Sequence, residues 1–427
     1  MTSYSFRTFA CLAVLATAAG CGVIGDEGDS PTTDESTSEA DVRVADGVVV
    51  ADQKAVSAAE VSADRVVLPA SAGERYRAMM PGTIFVGARS GPTSKNPDGF
   101  LRRVTTVNVE GDRLVVVTTP AALTDAIVAG TMKATSGGGK VDDHLTTGSF
   151  RGIDLDFADK PLFDNVDDIE VDGKQASFHE TITLERAVLS ARPSVDVDIR
   201  IQDGKVTRFT AMVEGSLDSS IKAIANVSST GTVDKDVLAA LKAKKHEVDR
   251  PLYESKRTAL PTFSVGRIPV SPSVQFRVAL RCSLAFGGAI HANAAVEAKS
   301  YVRLGGVFAN GEWGQPIRSD FDIKPTFEVT RGAEIDARCA IVAEAELFVY
   351  GASGVTMSVA PYLDFNVAEG ARELQQLGPR PFFYEVNAGA TGSMRGRDGV
   401  FGLAKTDLDR DLVDWKADAP LEGSVAR

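Results

Sequence analysis

Long stretches of alternating apolar and polar residues are the dominant pattern in this chain of 427 residues. The ranges 195–201, 276–286 and 335–349 each place an apolar side chain at every second position. Successive side chains of a β-strand point to opposite faces, so each range predicts a strand with one buried face. The sequence therefore predicts a mostly β protein, whose large body is an antiparallel sandwich or a strongly coiled sheet.

Turn and helix signals interrupt these strands at a few places. Asp203-Gly204 predicts a tight turn into a very long strand, or a bent pair of strands, over 207–227. Acids at the start and lysines at the end of 234–245 predict a short helix. A second helix is predicted over 120–130, with Thr119 as its N-cap and Gly130 as its stop. The fold prediction thus contains one or two short helices.

Composition shifts divide the chain into a small module, a large body and flanking segments. Residues 22–46 hold eight acids against one arginine and few large apolar side chains, which is typical of a disordered tether. A glycine run at 137–139 indicates a joint. The predicted segments are a signal at 1–20, an acidic tether at 21–46, a small β-rich module with a C-terminal helix at 47–135, a Gly-rich joint at 136–148, an antiparallel β body at 149–404 and a polar C-terminal tail at 405–427.

The N-terminus holds an uncharged apolar run over 9–20, followed by Cys21. This run is too short to cross a membrane as a helix. It resembles the signal of bacterial lipoproteins, with Ala18 where that family usually has leucine. The resemblance implies a lipid such as palmitate on Cys21 and, because Gly22 follows, anchoring at the cell outer membrane. Ordinary secretory cleavage after residues 16–18, with Cys21 unmodified, stays open as the alternative.

Two internal blocks resemble parts of uncharacterised β-rich surface and exported proteins of Gram-negative bacteria. The first, 82–127, contains GTIFVG, GFLRRV and a Gly-Asp turn. The second, 261–313, contains VGRIPVSPSVQF and GVFANGEW. These resemblances imply export and β architecture, and they imply no particular chemistry.

Apart from Cys11 in the signal segment and Cys21 directly after it, the chain has two cysteines, Cys282 and Cys339. Both fall on the apolar rows of their predicted strands. A pair of cysteines in an exported protein favours a disulfide. Two separate buried thiols are the alternative.

Reactive or metal-binding motifs are absent from the sequence. Its four histidines are scattered, and no zinc or phosphate-loop pattern occurs. One acidic cluster offers the carboxylate oxygens that calcium prefers, but its alternation indicates the solvent face of a strand. That cluster comprises Asp154, Asp156, Asp159, Asp164, Asp167, Asp168 and Asp172. We therefore predict no metal, no cofactor and no catalytic residues. With a net charge of −12 and no basic stripe, nucleic acid is not expected as a partner.

Three functions are compatible with these observations. The first is a membrane-anchored lipoprotein with a non-catalytic binding, adhesion or envelope-structural role, whose partners are the membrane and a protein or apolar ligand. The second is a carrier of an apolar ligand or lipid in a cavity enclosed by β-strands. It is motivated by the small residues Ala279, Ala285, Gly287, Gly288, Ala292 and Ala294. A hydrolase with a dispersed site is the third.

Overall fold

The computed structural model describes residues 42–91, 93–136, 153–260, 262–288, 290–309, 312–314, 318–331, 334–369, 382–396, 399–401, 409–416 and 421–425. The predicted signal segment, Cys21, the tether up to residue 41 and residues 137–148 of the predicted joint lie outside this part. Within it the predicted mostly β fold is confirmed, and four short helices accompany the strands.

The strands of the first third of the chain are short. They are β1 (Arg43–Val44), β2 (Val48–Val50), β3 (Glu60–Val61), β4 (Arg65–Pro69), β5 (Ile84–Gly87), β6 (Phe100–Glu110), β7 (Arg113–Pro120) and β8 (Ile127–Ser136). Six of them form one sheet in the order β2-β5-β6-β7-β4-β3, in which β2 and β5 run parallel. The predicted hairpin at residues 100–119 is the β6–β7 pair of this sheet.

Much longer strands follow. They are β9 (Ile153–Val171), β10 (Lys174–Gln202), β11 (Lys205–Gly231), β12 (His246–Glu254), β13 (Thr258–Ala259), β14 (Phe263–Val265), β15 (Ile268–Val270), β16 (Pro272–Gly287), β17 (Ile290–Ala309), β18 (Glu312–Gly314), β19 (Arg318–Arg331), β20 (Glu334–Val349), β21 (Ala352–Glu369), β22 (Phe382–Gly396), β23 (Arg410–Lys416) and β24 (Leu421–Val425).

Eight strands form the first large sheet, in the order β1-β8-β10-β11-β17-β18, with β9 also paired to β10 and β19 to β17. Its centre is the β10–β11 hairpin, which closes at the predicted turn Asp203-Gly204. Both turn residues have positive φ angles, 50° and 69°, which is the conformation that two-residue hairpin turns require. The turn therefore fixes the register of the longest strand pair.

A second large sheet has the order β12-β16-β20-β21-β22-β23, with β13 also paired to β16 and β24 to β22. The chain first enters the second sheet at β12 and then changes between the two large sheets twice more. It leaves the second sheet after β16, adds β17, β18 and β19 to the first sheet, and returns at β20. The paired strands β16 and β20 of the second sheet are therefore separated along the chain by three strands of the first sheet.

The two large sheets pack against each other through their apolar rows. One core cluster joins Phe209 of β11 to Phe276 of β16 and Met357 of β21. A second cluster joins Phe178 of β10 to Phe286 of β16. Strands of the small sheet add side chains to the first cluster, so that sheet and the body share a core. Two facing sheets with interleaved apolar rows are the arrangement of a β-sandwich.

A bulge in β10 changes whether its even-numbered or its odd-numbered residues are buried. Phe178, Ile182 and Leu184 are buried on even positions, whereas Ala187 and Leu189 are buried on odd positions. The pairing with β11 shifts register between Leu184 and Arg186, which inserts one residue and reverses the alternation. The apolar row thus stays on the inward side along the whole strand.

The four helices are α1 (Gln53–Ala58), α2 (Ala70–Gly73), α3 (Leu123–Ala126) and α4 (Lys235–Ala243). Helix α4 corresponds to the helix predicted at 234–245. Asp234 caps it by accepting hydrogen bonds from the backbone N–H groups of Asp236 and Val237. Val237 and Leu241 are fully buried, so the helix docks onto the body. No helix of the described residues is long and apolar enough to span a membrane.

The predicted length of the helix over 120–130 is wrong. Helix α3 has a single turn that begins after Ala122, and β8 starts at Ile127. The β-branched residues Ile127 and Val128 favour a strand. Residues 127 and 129 pair with β1, and from Gly130 onward β8 pairs with β10 of the first large sheet. Pairing across the sheet overrides the local helix signal. Similarly, the C-terminal range 405–427, expected as a polar tail, contributes β23 and β24 to the second sheet.

Candidate functional site

An apolar cavity lies between the two large sheets. Its volume is about 140 Å³, and its wall combines strands β9, β10, β11 and β17 with β16, β20 and β21. The wall residues are Leu162, Ile182, Leu184, Ser219, Ile221, Ala223, Ala225, Ala292 and Ala295 on one side, and Leu280, Cys282, Leu284, Phe286, Ile335, Ala337, Cys339, Ala340, Ile341, Pro361, Tyr362, Leu363 and Phe365 on the other. Nearly all of these side chains are hydrocarbon or aromatic.

Small side chains leave this space open. Ala223 and Ala225 of β11 lie on the inward side, where fully buried phenylalanines fill the core elsewhere. Ala337 of β20 lies in the opposite wall. Among the described small residues that the sequence suggested for a cavity, Ala292 is in this wall and Ala279 and Ala285 are not. The side chain of Ala294 lies outside the described part. The relevant alanines were therefore mostly missed, because the sequence does not show which apolar rows face each other.

Two smaller cavities continue the large one along the sandwich. Their volumes are about 80 Å³ and about 20 Å³. The smallest shares Leu184 and Ile221 with the large cavity, and Leu189 and Val278 with the other one. The three cavities are therefore neighbours in one row. From Ile182 to Pro193 along β10, the row extends roughly 35 Å at the usual rise of a strand.

The Cys282–Cys339 disulfide forms part of the cavity wall. The two cysteines face each other directly on β16 and β20, and their sulfur atoms lie 2.17 Å apart. This is the pair that the sequence predicted. Both side chains point inward, as their positions in the apolar rows indicated, and both line the large cavity.

Polar groups are scarce in the wall. The hydroxyl of Ser219 is buried there and has no hydrogen-bond partner within the described part of the chain. Water needs two to four polar partners to occupy a cavity stably, and apolar cavities of this kind stay dry. The lining therefore favours an apolar guest over water.

The acidic cluster of β9 mainly faces solvent, as the alternation indicated. Asp154 pairs with Arg192 at 2.9 Å, and hydrogen bonds from Ser190 and Arg192 lower the pKa of Asp154. Asp164 pairs with the exposed ring of His179 at 2.8 Å. Such exposed pairs are ordinary features of a solvated strand face. One acid of the cluster, Asp167, is buried instead.

Comparisons with known proteins identify no relative. No protein-family model, no curated protein and no solved structure matches this chain.

Proposed function

We propose that this protein is a non-catalytic binding protein that carries an apolar ligand, such as an alkyl or acyl chain, between its two large sheets. The single observation that supports this function is the row of neighbouring cavities, of which the main one has an almost wholly apolar wall. A purely adhesive or structural role would be served by a filled core. Binding pockets are usually apolar and concave, with few polar groups that orient the ligand.

The size of the large cavity suits part of an apolar chain. A cavity of about 150 Å³ lined by Leu, Ile and Phe binds benzene, which has six carbon atoms. The main cavity, at about 140 Å³, has a comparable size and lining. Each methylene transferred from water to such an environment contributes about 0.8 kcal/mol. A longer alkyl chain would extend from it into the neighbouring cavities.

The lipoprotein-like signal of the sequence supports a location of this function at a membrane. In our proposal, Cys21 carries the lipid anchor, the acidic segment at 21–46 is the tether, and the body is held at the outer membrane. A ligand with an alkyl chain would then come from the surrounding envelope.

Titration with N-phenyl-1-naphthylamine, a neutral apolar fluorophore, tests this proposal. We expect a saturable rise in fluorescence with one probe per chain. The walls exclude water, the main cavity accommodates one aromatic ring, and the rest of the probe would extend into the neighbouring cavities. Decanoic acid should displace the probe, whereas acetate at the same concentration should not. The same titration on the urea-unfolded chain is the control for nonspecific adsorption. A linear, unsaturable response that matches this control would contradict the proposal.

A further inference from the structure

Three side chains that commonly bind metal ions meet near the end of helix α4. Asp167 lies on β9, Glu180 on β10 and His246 at the start of β12. One oxygen of each carboxylate and a ring nitrogen of His246 all lie within 4.8 Å of one another. None of the three residues lines the apolar cavities. An inference about this cluster therefore goes beyond the proposed function and does not depend on it.

The topology explains how these residues come together. Asp167 pairs with Phe178, two residues before Glu180, so the two acids are diagonal neighbours on the inward face of the first large sheet. Helix α4 ends at Ala243, and the chain enters the second large sheet at His246. The cluster therefore joins the two large sheets where the chain crosses from one to the other.

Glu180 is the residue that most requires a partner. It occupies the apolar row between Phe178 and Ile182 and is 0% exposed. Neither carboxylate oxygen has a hydrogen-bond donor within the described residues. The side chain of Asn165, opposite on β9, does not reach hydrogen-bond geometry with either of these oxygens. An ionised carboxylate in this position needs a cation.

The contacts of His246 have the spacing of metal ligands. Its Nε2 atom lies 3.0 Å from Oδ2 of Asp167 and 3.2 Å from Oε2 of Glu180. Neither contact has hydrogen-bond geometry. The other oxygen of Asp167 accepts a hydrogen bond from Nζ of Lys244 at 2.9 Å. Apart from His246, two carboxylates and one ammonium leave one negative charge, which a bound cation would balance.

We propose that Asp167, Glu180 and His246 bind a divalent transition-metal ion of the zinc class. Zinc takes histidine nitrogen and carboxylate oxygen at about 2.0–2.2 Å, so the ligand atoms of a tetrahedral site are about 3.4 Å apart. The two distances from Nε2, 3.0 and 3.2 Å, are close to that separation. Calcium is a poorer fit, because it prefers six to eight oxygen ligands and the site includes an imidazole.

Neighbouring groups support such a site. Lys244 occupies one oxygen of Asp167 and leaves the other directed at the cluster. The ring of Phe163 lies 5.3 Å from the ring of His246 and shields it. Groups of this kind orient the ligands and control access of water. Three protein ligands also leave a fourth position for water. The ion would link β9 and β10 of the first large sheet to β12 of the second.

Zinc titration of the tag-free full chain, after treatment with a chelator, tests the site by calorimetry and thermal melting. We expect one zinc per chain and a higher melting temperature in its presence. Glu180→Gln and His246→Gln should each weaken zinc binding by at least about 100-fold, because removal of a supporting group alone costs 10- to 100-fold. His179→Gln is the matched control, since His179 pairs with one carboxylate in an exposed position, and it should bind zinc like the wild type.

The alternative is that His246 contacts the two carboxylates directly, without any metal. Absence of stoichiometric zinc binding to the wild type would establish that alternative and overturn the proposal, as would equal affinity in the His246 and His179 variants. X-ray absorption of the zinc-loaded wild type requires no variant to fold. One nitrogen and two or three oxygen neighbours are expected, and an all-oxygen shell would also overturn the proposal.

Discussion

Leucine at both Ala223 and Ala337 is expected to abolish probe binding without unfolding the protein. These alanines belong to opposite walls of the main cavity. The double substitution adds six carbon atoms, as many as benzene places in a cavity of about 150 Å³. We therefore expect the dissociation constant for N-phenyl-1-naphthylamine to rise at least about 100-fold in the fluorescence titration, which corresponds to about 3 kcal/mol.

The same double variant should be at least as stable as the wild type. Each added carbon that is buried contributes about 0.8 kcal/mol, and the space to accept it already exists. Leucine at Ser220, an exposed position on β11, is the control and should change neither binding nor stability. Unchanged binding in the double variant would contradict the assignment of the cavity, and a large loss of stability would show that the space is not available.

Removal of the Cys282–Cys339 disulfide is expected to lower stability by about 4 kcal/mol. The bond closes a loop between residues 57 positions apart, and the loop-closure entropy for that length is about 4 kcal/mol at 25 °C. For a chain of this size, such a loss shifts the melting temperature by roughly 5 °C. The loop contains β17, β18 and β19, which belong to the opposite sheet, so the bond also restrains both crossings between the sheets.

Calorimetry of the Cys282→Ala/Cys339→Ala double variant measures this effect. The wild type treated with a reductant should melt at the same lower temperature as the variant. Reductant should leave the variant itself unchanged, which controls for effects of the reagent. An equal melting temperature for the oxidised wild type and the variant would contradict the predicted stabilisation.

Local patterns predicted the strands well, because a buried face requires strict alternation. The inward rows of β16 and β20, including both cysteines, follow directly from residues 276–286 and 335–349. The turn at Asp203-Gly204 was also predictable, because only a few residue pairs accept two positive φ angles. These features depend on interactions within a few residues.

The features that depend on distant partners could not be predicted. β8 pairs with β1, 83 to 86 positions before it, and with β10, 59 to 71 positions after it, and this pairing replaces part of a predicted helix by a strand. The cavity exists because alanines of β11 face alanines of β20. No pattern within either strand indicates that the two strands lie opposite each other.

The sequence contains a signal for the buried cluster of Asp167, Glu180 and His246 that our sequence analysis missed. Glu180 is an acid inside the apolar row between Phe178 and Ile182, which is visible in the sequence as a break in the pattern. A charged residue at an inward position indicates a partner or a site. Its partner His246 is 66 positions further along the chain and is brought near only by the crossing after α4.

Native mass spectrometry of the gently purified wild type, with the Ala223→Leu/Ala337→Leu variant beside it, tests the central claim most directly. A denaturing spectrum of each sample separates any covalent lipid on Cys21 from a noncovalent ligand, because only the covalent group survives denaturation. Our account predicts an apolar molecule that accompanies the native wild type, is released on denaturation and is missing from the variant. A native wild type whose mass equals that of the denatured chain, even after incubation with fatty acid, would contradict it.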